Sequence, residues 1–223
     1  MIRLFVGFDQ RESVAFHTFV QSVIDVTTVP VSVTPLVLSA LPGYAETHND
    51  GSNTFIYSRF LTPYLAGFSG WAIFADGDMV CREDLKSLWD LRDEKYAVMV
   101  AKHDYVTKAS QKYLGNKNEN YPKKNWSSVI LWNCSHVKNR ILSPDFVMSK
   151  DGKFLHRFSW LDEGDIGEIP KDWNWLTTEY LNNYDAKLLH YTLGTPCFRE
   201  YKSCDMSDVW WATHERSQEG IDS

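Results

Sequence analysis

The sequence lacks the features that mark several classes of protein. No apolar run approaches the roughly 20 residues that a membrane span requires, and the chain begins directly with a strand pattern, so we expect neither a transmembrane segment nor a signal peptide. The four cysteines form no Cys-x-x-Cys pair, which disfavours a zinc site or a disulfide framework and favours reduced thiols in a cytoplasmic protein. A net charge of −6 disfavours a nucleic-acid partner.

The composition is that of an ordinary globular protein. With 223 residues, of which 43% are hydrophobic and 23% charged, the chain is long enough for one substantial core. No internal repeat or low-complexity linker interrupts it. Predicted strands and helices alternate along the chain. The sequence therefore predicts a single α/β domain with a mixed, mostly parallel central sheet flanked by helices.

The chain opens with a βαβ pattern. Residues 2–8 predict a strand, residues 11–24 a helix and residues 31–38 a second strand. Asp9 and Glu12 have the spacing of a capping box at the start of this helix. Gly7 leaves room for a ligand to approach the backbone at the end of the first strand. No Gly-x-Gly-x-x-Gly follows, so we do not expect a dinucleotide cofactor.

The most informative stretch is residues 71–80, Trp-Ala-Ile-Phe-Ala-Asp-Gly-Asp-Met-Val. Its apolar beginning predicts a buried strand, which ends at Asp76 and Asp78 with Gly77 letting the backbone turn between them. Side chains two residues apart lie on the same face of an extended segment, so both carboxylates can point the same way. An isolated Asp-x-Asp is usually a solvated turn. This one ends the most apolar strand, and two crowded carboxylates favour a divalent cation between them.

Three further polar features lie close to predicted structural elements. His190 is near the end of a strand predicted over residues 187–191, and an isolated histidine there is either an ordinary packed residue or a metal ligand. With Asp76 and Asp78 it offers a mixed oxygen and nitrogen set that suits Mn²⁺ best and Mg²⁺ second. Arg59, on a helix predicted over residues 54–65, either covers surface with its stem or lies near the site. The polar residues 103–124 predict a long loop that is mobile or functional.

Taken in order, these motifs resemble a known family. The strand ending in Phe74-Ala75-Asp76-Gly77-Asp78 resembles the D-x-D element of nucleotide-sugar glycosyltransferases with the GT-A fold, which is Rossmann-like. The order of the other features is similar to the family 8 type, which includes glycogenin and bacterial galactosyltransferases. The further matches are Phe8-Asp9, Ser58-Arg59, Asn125-Trp126-Ser127-Ser128-Val129 with Asn133, Asp162-Glu163, and His190.

The resemblance implies an activity and a set of site residues. The protein would move a sugar from a nucleotide-diphosphate donor, most simply a UDP-sugar, to a glycan or other hydroxyl acceptor, with retention of configuration. Residues 1–101 would form the nucleotide-binding half, and residues 102–223 the half that contacts donor sugar and acceptor. The implied nucleotide contacts are Gly7, Phe8, Asp9, Arg59, Ala75, Asp76, Gly77 and Asp78; the implied metal ligands are Asp76, Asp78 and His190; the implied catalytic residues are Asp162 and Glu163.

The sequence departs from the family pattern in two places. The family's late motif is H-x-x-G-x-x-K, whereas here Gly194 lies four residues after His190 and no lysine follows at the expected position. Arg199 or Lys202 is the candidate to supply the missing positive charge to the diphosphate. Glu163 stands where the family has glutamine and would add a negative charge near the sugar.

Two other functions fit parts of the same pattern. Asp-Gly-Asp-Met-Val after an apolar strand also fits a haloacid-dehalogenase-type phosphatase, with Asp76 as nucleophile and Asp78 as acid/base. That family normally begins with this motif, whereas here a complete βαβ unit precedes it. A non-catalytic protein that binds nucleotide sugars is the third interpretation, because a fold does not dictate turnover.

Overall fold

The computed structural model describes residues 1–48, 53–115, 118 and 120–219. Residues 49–52 of the loop that precedes the Arg59 segment, and Lys117 of the predicted 103–124 loop, lie outside the described residues.

The elements follow the predicted alternation of strands and helices. The strands are β1 (Ile2–Gly7), β2 (Val31–Leu36), β3 (Trp71–Ala75), β4 (Met79–Cys81), β5 (Val98–Val100), β6 (Val129–Asn133), β7 (Ile166–Glu168), β8 (Trp175–Leu176) and β9 (Leu188–His190). The α-helices are α1 (Ser13–Val26), α2 (Thr62–Leu65), α3 (Leu85–Trp89), α4 (Pro144–Met148), α5 (Gly152–His156) and α6 (Ser207–Arg216). Short 3₁₀ turns connect several of them, including Gln10–Glu12, Ser58–Leu61, Trp126–Ser128, Val137–Ile141, Glu163–Asp165, Lys171–Asn174 and Arg199–Tyr201.

The central sheet confirms the predicted fold class. Within the described residues it has six strands in the order β2-β1-β3-β6-β5-β7. Strand β6 runs antiparallel to β3 and β5, and the other neighbouring pairs are parallel. The chain leaves β1 for β2 on one side and returns to β3 on the other, so the strand order reverses beside β1. In open α/β sheets, ligands bind at the carboxyl ends of the strands at such a reversal.

The strand before the aspartates is covered on both faces. Ile73 and Ala75 belong to a core cluster that includes Phe19 of α1. Ala72 and Phe74 belong to a second cluster on the other face. Alternate residues of a strand point to opposite faces, so an uninterrupted apolar run is what a strand buried on both sides requires. The central sheet also takes strands from both predicted halves of the chain.

After β3 the chain leaves the central sheet and enters a small second sheet, whose strands are ordered β4-β9-β8. The buried strand predicted at the start of residues 71–80 is β3, which ends before Asp76, and β4 begins a different sheet at Met79. Gly77 lies at the break, and a Cβ there would come within 2.4 Å of the Gly7 carbonyl oxygen. Close approach to the end of β1 is thus why this position needs glycine.

The helices differ from prediction at their ends. The helix predicted over residues 54–65 is a 3₁₀ turn, Ser58–Leu61, followed by the short α2. Pro63, in the first turn of α2, has no N–H with which to continue a helix that began earlier. Asp9 caps the Gln10–Glu12 turn by accepting from the backbone N–H of Arg11 at 2.9 Å, and α1 begins only afterwards. None of the helices in the described part of the chain combines the length and apolar character needed to cross a membrane.

Candidate functional site

Two aspartates and a histidine meet where the two sheets join. Asp76 follows β3, and Asp78 precedes β4. His190 ends β9, which pairs antiparallel with β4 so that Met79 lies opposite His190. The backbone N–H of Tyr191 also donates to the Asp78 carbonyl at 3.0 Å. This pairing places the imidazole beside both carboxylates, although the residues are far apart in the chain.

The three side chains are close enough to share one ion. A ligand atom from each of Asp76, Asp78 and His190 lies within 4.8 Å of the other two. His190 Nε2 is 3.3 Å from Asp78 Oδ1 and 3.9 Å from Asp76 Oδ2. The Oδ1 atoms of both aspartates are buried; that of Asp76 forms an ion pair with Arg59 Nη1 at 2.8 Å, and that of Asp78 accepts no hydrogen bond from the described residues. Two carboxylates and one imidazole fit a divalent ion that takes oxygen and nitrogen ligands.

Burial and nearby charges move the pKa values of the two carboxyls in opposite directions. Burial raises the pKa of Asp76 to about 6, although the guanidinium of Arg59 acts to lower it. Burial also acts to raise the pKa of Asp78, but His190 and then Lys112 outweigh it and hold that pKa below its usual value. The negative charge of Asp78 itself opposes ionisation of Asp76. A divalent cation between them would relieve this repulsion.

Asn174 fixes the orientation of the His190 ring. Its Nδ2 donates to the Asn125 carbonyl at 3.0 Å, so its Oδ1 faces His190 Nδ1 at 2.9 Å. An amide oxygen only accepts, and this network therefore assigns the proton of the neutral ring to Nδ1. In that neutral ring, the Nε2 lone pair points toward the two aspartates. Histidine ligands of metals are commonly held by such a partner.

Replacing Asn174 by alanine should weaken Mn²⁺ binding about 10- to 100-fold, because His190 loses the acceptor that sets its tautomer. Titration calorimetry of the purified variant with MnCl₂ measures the change. Asn182→Ala, at an exposed position, is the matched control and should bind as the unmodified protein does. An unchanged Mn²⁺ affinity in Asn174→Ala would remove this role for Asn174.

Arg59 reaches the site and is held there by several groups. Its Nη1 lies 2.8 Å from Asp76 Oδ1 and donates to the Ser127 carbonyl at 2.9 Å. Its Nε donates to the Ile56 carbonyl at 3.0 Å, and its guanidinium lies over two phenylalanine rings. The side chain is only 5% exposed. The sequence left two roles open for Arg59, either covering surface with its stem or lying near the site. The structure shows Arg59 near the site, where its direct partner is Asp76.

Comparison with known proteins places the chain in a family. No protein-family model matches it. The Arabidopsis thaliana protein named Protein CDI is 42% identical over 217 residues, which cover 93% of this chain and 84% of the relative. The chain belongs to the Protein CDI family.

Solved structures establish the fold of this CDI-family chain. The apo bifunctional glycosyltransferase WbbM matches with a TM-score of 0.70 at 15% identity over 99% of the chain, which spans 50% of the WbbM chain. The galactosyltransferase LgtC, in complex with donor and acceptor sugar analogues, matches with a TM-score of 0.62 at 12% identity over 96% of both chains. The GlyE glycosyltransferase of Streptococcus pneumoniae matches with a TM-score of 0.63 at 13% identity over 96% of the chain and 61% of GlyE. The predicted GT-A fold is therefore confirmed.

The residues predicted to contact the nucleotide at the end of β1 are differently engaged in the CDI-family chain. A Cβ on Gly7 would lie 2.3 Å from the ring of Phe55, so the space predicted for a ligand is filled by that ring. Phe8 is half-buried and packs edge-on against Phe16 at 5.3 Å. Ala75 is buried in the core and offers no side chain to the cleft.

Asp9 has both carboxylate oxygens in use. Oδ1 accepts from the backbone and side chain of Arg11, and Oδ2 accepts from Arg11 Nη2 at 2.6 Å and from the Thr54 backbone at 3.1 Å. These bonds hold the pKa of Asp9 below its usual value, although burial acts to raise it. Asp9 thus ties the end of β1 to the segment around Thr54.

Asp162 and Glu163 do not reach the cleft. They lie just before β7, which runs parallel to β5 with Ile166 beside Val98. Since β5 runs in the same direction as β3, the start of β7 is at the opposite edge of the sheet from Asp76. Their carboxylates pair instead with lysines, Asp162 with Lys138 at 2.7 Å and Glu163 with Lys123 at 2.5 Å. The geometry therefore gives no support to their predicted catalytic role.

Other side chains complete the cleft around the triad. The lining residues are Asn53, Ile56, Arg59, Asp76, Asp78, Lys112, Tyr121, Asn125, Ser127, Ser128, His156, His190 and Thr192. The Asn125-to-Ser128 motif and the polar 103–124 loop were visible in the sequence. His156 carried no signal, because it lies in a weakly helical segment. Its Nδ1 is 2.7 Å from Ser127 Oγ, its buried Nε2 has no hydrogen-bond partner among the described residues, and burial lowers its pKa to about 3.

Proposed function

We propose that the protein is a metal-dependent glycosyltransferase that moves a sugar from a nucleotide-diphosphate donor to a hydroxyl acceptor. A UDP-sugar is the proposed donor, and a glycan or other hydroxyl compound the proposed acceptor. The ion, Mn²⁺ or Mg²⁺, would be held by Asp76, Asp78 and His190. When bound, it would offset the negative charge that develops on the departing diphosphate.

The observation that carries this proposal is the buried triad at the carboxyl end of β3, next to the reversal of strand order. Arg59 holds Asp76 by its ion pair, and Asn174 holds His190 in the tautomer whose Nε2 is free to bind a metal. The ligands are thus oriented before any ion arrives. The LgtC neighbour, a galactosyltransferase in complex with donor and acceptor sugar analogues, agrees with a transferase on this fold.

The nucleoside is proposed to bind in an adjoining cleft at the carboxyl ends of β1 and β2. Its lining residues are Arg11, Leu38, Glu46, His48, Asn53, Thr54 and Ile56. Asn53 and Ile56 line the triad cleft as well, so a nucleotide can extend from one cleft into the other. The buried Asn53 Oδ1 accepts no hydrogen bond from the described residues and is available to a donor on the base or ribose. Asp9 would hold Arg11 and Thr54 in the wall of this cleft.

Retention of configuration is the proposed outcome. An inverting transfer requires a general base near the acceptor, and a carboxylate commonly serves. Among the described residues that line the triad cleft, the carboxylates are Asp76 and Asp78, and both are assigned to the ion. His156 is a weak base because burial lowers its pKa to about 3. The Nε2 of His156, which has no hydrogen-bond partner in the described part of the chain, instead suits a hydrogen bond to a sugar hydroxyl.

Incubation with Mn²⁺, a panel of UDP- and GDP-sugars and simple hydroxyl acceptors tests this function. Release of nucleotide diphosphate together with a glycosylated product is the expected result, and EDTA should abolish it. Release of inorganic phosphate from sugar phosphates would instead support the phosphatase. Metal-dependent nucleotide binding without turnover on any donor of the panel would support a non-catalytic binding protein. The antiparallel β3–β6 pair in a GT-A sheet favours the transferase over the phosphatase.

A further inference from the structure

The cleft contains a positive charge that the triad and Arg59 do not account for. Lys112 belongs to the segment that leads from β5 to β6, and the described residues of that segment, 103–115, 118 and 120–124, are here called the cover loop. Its side chain and that of Tyr121 line the triad cleft. Lys112 is half-buried and lies near enough for its charge to act on both Asp76 and Asp78. The cover loop therefore brings a lysine to the place where the proposed ion would bind.

Buried polar contacts hold the cover loop over the cleft. Glu179 accepts from the Lys108 backbone at 2.8 Å and from Asn118 Nδ2 at 3.3 Å. Asn118 Oδ1 in turn accepts from Lys124 Nζ at 2.5 Å, and Lys108 Nζ donates to the Thr178 carbonyl at 2.8 Å. Glu179 and Asn118 are only 6% and 5% exposed. Buried networks of this kind specify one arrangement of the chain, so the location of Lys112 is built into the fold.

The other cations considered for the diphosphate are unsuitable. Arg59 is engaged by Asp76 and by two backbone carbonyls. Arg199 and Lys202, the candidates from sequence, are exposed residues in and after the Arg199–Tyr201 turn. Neither lines the triad cleft. Among the described cleft residues, Lys112 is thus the remaining lysine or arginine.

Charge balance indicates what Lys112 does. The two negative charges of Asp76 and Asp78 would cancel the two positive charges of a divalent ion, so the positive charge of Arg59 remains. A nucleotide-sugar diphosphate carries two negative charges, so one further positive charge is needed to match it, and more charge develops as the sugar leaves. A lysine ammonium is a common phosphate partner and acts as a point charge.

We infer that Lys112 binds the diphosphate of the donor and, before the ion binds, offsets the charge of Asp76 and Asp78. This inference rests on the proposed function. It has two consequences of opposite sign. Removing the charge of Lys112 weakens nucleotide diphosphate binding in the presence of the metal. The same change removes a competitor for the carboxylates, so Mn²⁺ alone binds at least as tightly as before.

Calorimetry on Lys112→Met tests both consequences. With saturating Mn²⁺, UDP should bind about 10-fold or more weakly than to the unmodified protein, the range for loss of one hydrogen bond to a charged group. Mn²⁺ alone should bind equally well or more tightly, and uridine, which has no phosphate, should bind equally. Lys112→Arg should recover UDP binding. Lys202→Met removes the same charge from an exposed site and should change none of the three affinities.

The outcomes separate this inference from the proposed function. If the unmodified protein turns over UDP-sugars but Lys112→Met binds UDP with full affinity, Lys112 does not hold the diphosphate and the transferase assignment stands. A drop in UDP affinity in Lys202→Met alone would assign the diphosphate to the late segment and overturn the inference. If the unmodified protein binds no UDP with Mn²⁺, both fail. Near-ultraviolet circular dichroism checks the fold, and Lys112→Gln replaces the methionine variant if that one is unfolded.

Discussion

Replacing Asp78 by asparagine should abolish Mn²⁺-dependent UDP binding, with a loss of more than about 100-fold in Mn²⁺ affinity. The amide oxygen keeps its shape but loses the negative charge that a hard divalent ion requires. The positive charges of Arg59 and Lys112 would then face the ion with a single carboxylate between them. Replacing a residue that holds a metal ligand typically lowers metal affinity about 10- to 100-fold. Loss of a ligand itself is expected to exceed that range.

The measurement for Asp78→Asn is titration calorimetry with Mn²⁺, and then with UDP at saturating Mn²⁺. Asp145→Asn makes the same chemical change at an exposed position on α4 and should leave both affinities unchanged. Near-ultraviolet circular dichroism verifies that the aromatic core is intact. Full affinity for Mn²⁺ and UDP in a folded Asp78→Asn protein would refute the metal site.

Replacing Arg59 by methionine should lower the free energy of unfolding by about 3–5 kcal/mol. The change leaves the charge of Asp76 buried without its partner, and breaking one side of a buried ion pair has costs of that size. It also removes the hydrogen bonds to the Ile56 and Ser127 carbonyls. Urea unfolding of the metal-free protein measures the loss. Methionine keeps most of the side-chain volume between the phenylalanine rings, so cavity formation adds little.

A second substitution identifies the cause of that loss. Adding Asp76→Asn to Arg59→Met should recover part of the stability, because a neutral amide needs no buried counter-charge. No recovery in the double variant would mean that Asp76 does not depend on Arg59. A stable Arg59→Met protein that no longer binds UDP would instead assign Arg59 mainly to the nucleotide.

Local sequence patterns were sufficient for much of the framework. The βαβ unit and the buried β3 follow from apolar runs of strand length separated by a helical period, and those patterns depend only on neighbouring residues. Asp76 and Asp78 could be identified because their spacing and their place at a strand end are local as well. His190 was a candidate because it lies near a predicted strand end, and the likeness to family 8 then favoured the role of metal ligand over that of an ordinary packed residue.

Residue order failed where geometry depends on distant parts of the chain. Asp162 and Glu163 stand at the expected place in the sequence, but the parallel pairing of β7 with β5 puts them at the far edge of the sheet. The space at Gly7 is taken by Phe55, a contact across the loop that leads to Arg59. Neither the strand register nor the path of a long loop can be read from the residues concerned, because both depend on which surfaces become buried together.

The difference between the features predicted from sequence and those seen only in the structure has a physical origin. Hydrophobic period, turn residues and the Asp-Gly-Asp element act within a few residues, so the linear sequence was enough to predict the fold class and the two carboxylates of the candidate metal site. The approach of His190 to Asp78 depends on the β4–β9 register. The tautomer of His190 depends on Asn174. The position of Lys112 in the cleft depends on the buried contacts of Glu179. These belong to the folded protein alone, because each joins segments that come together only when the two sheets and the cover loop pack.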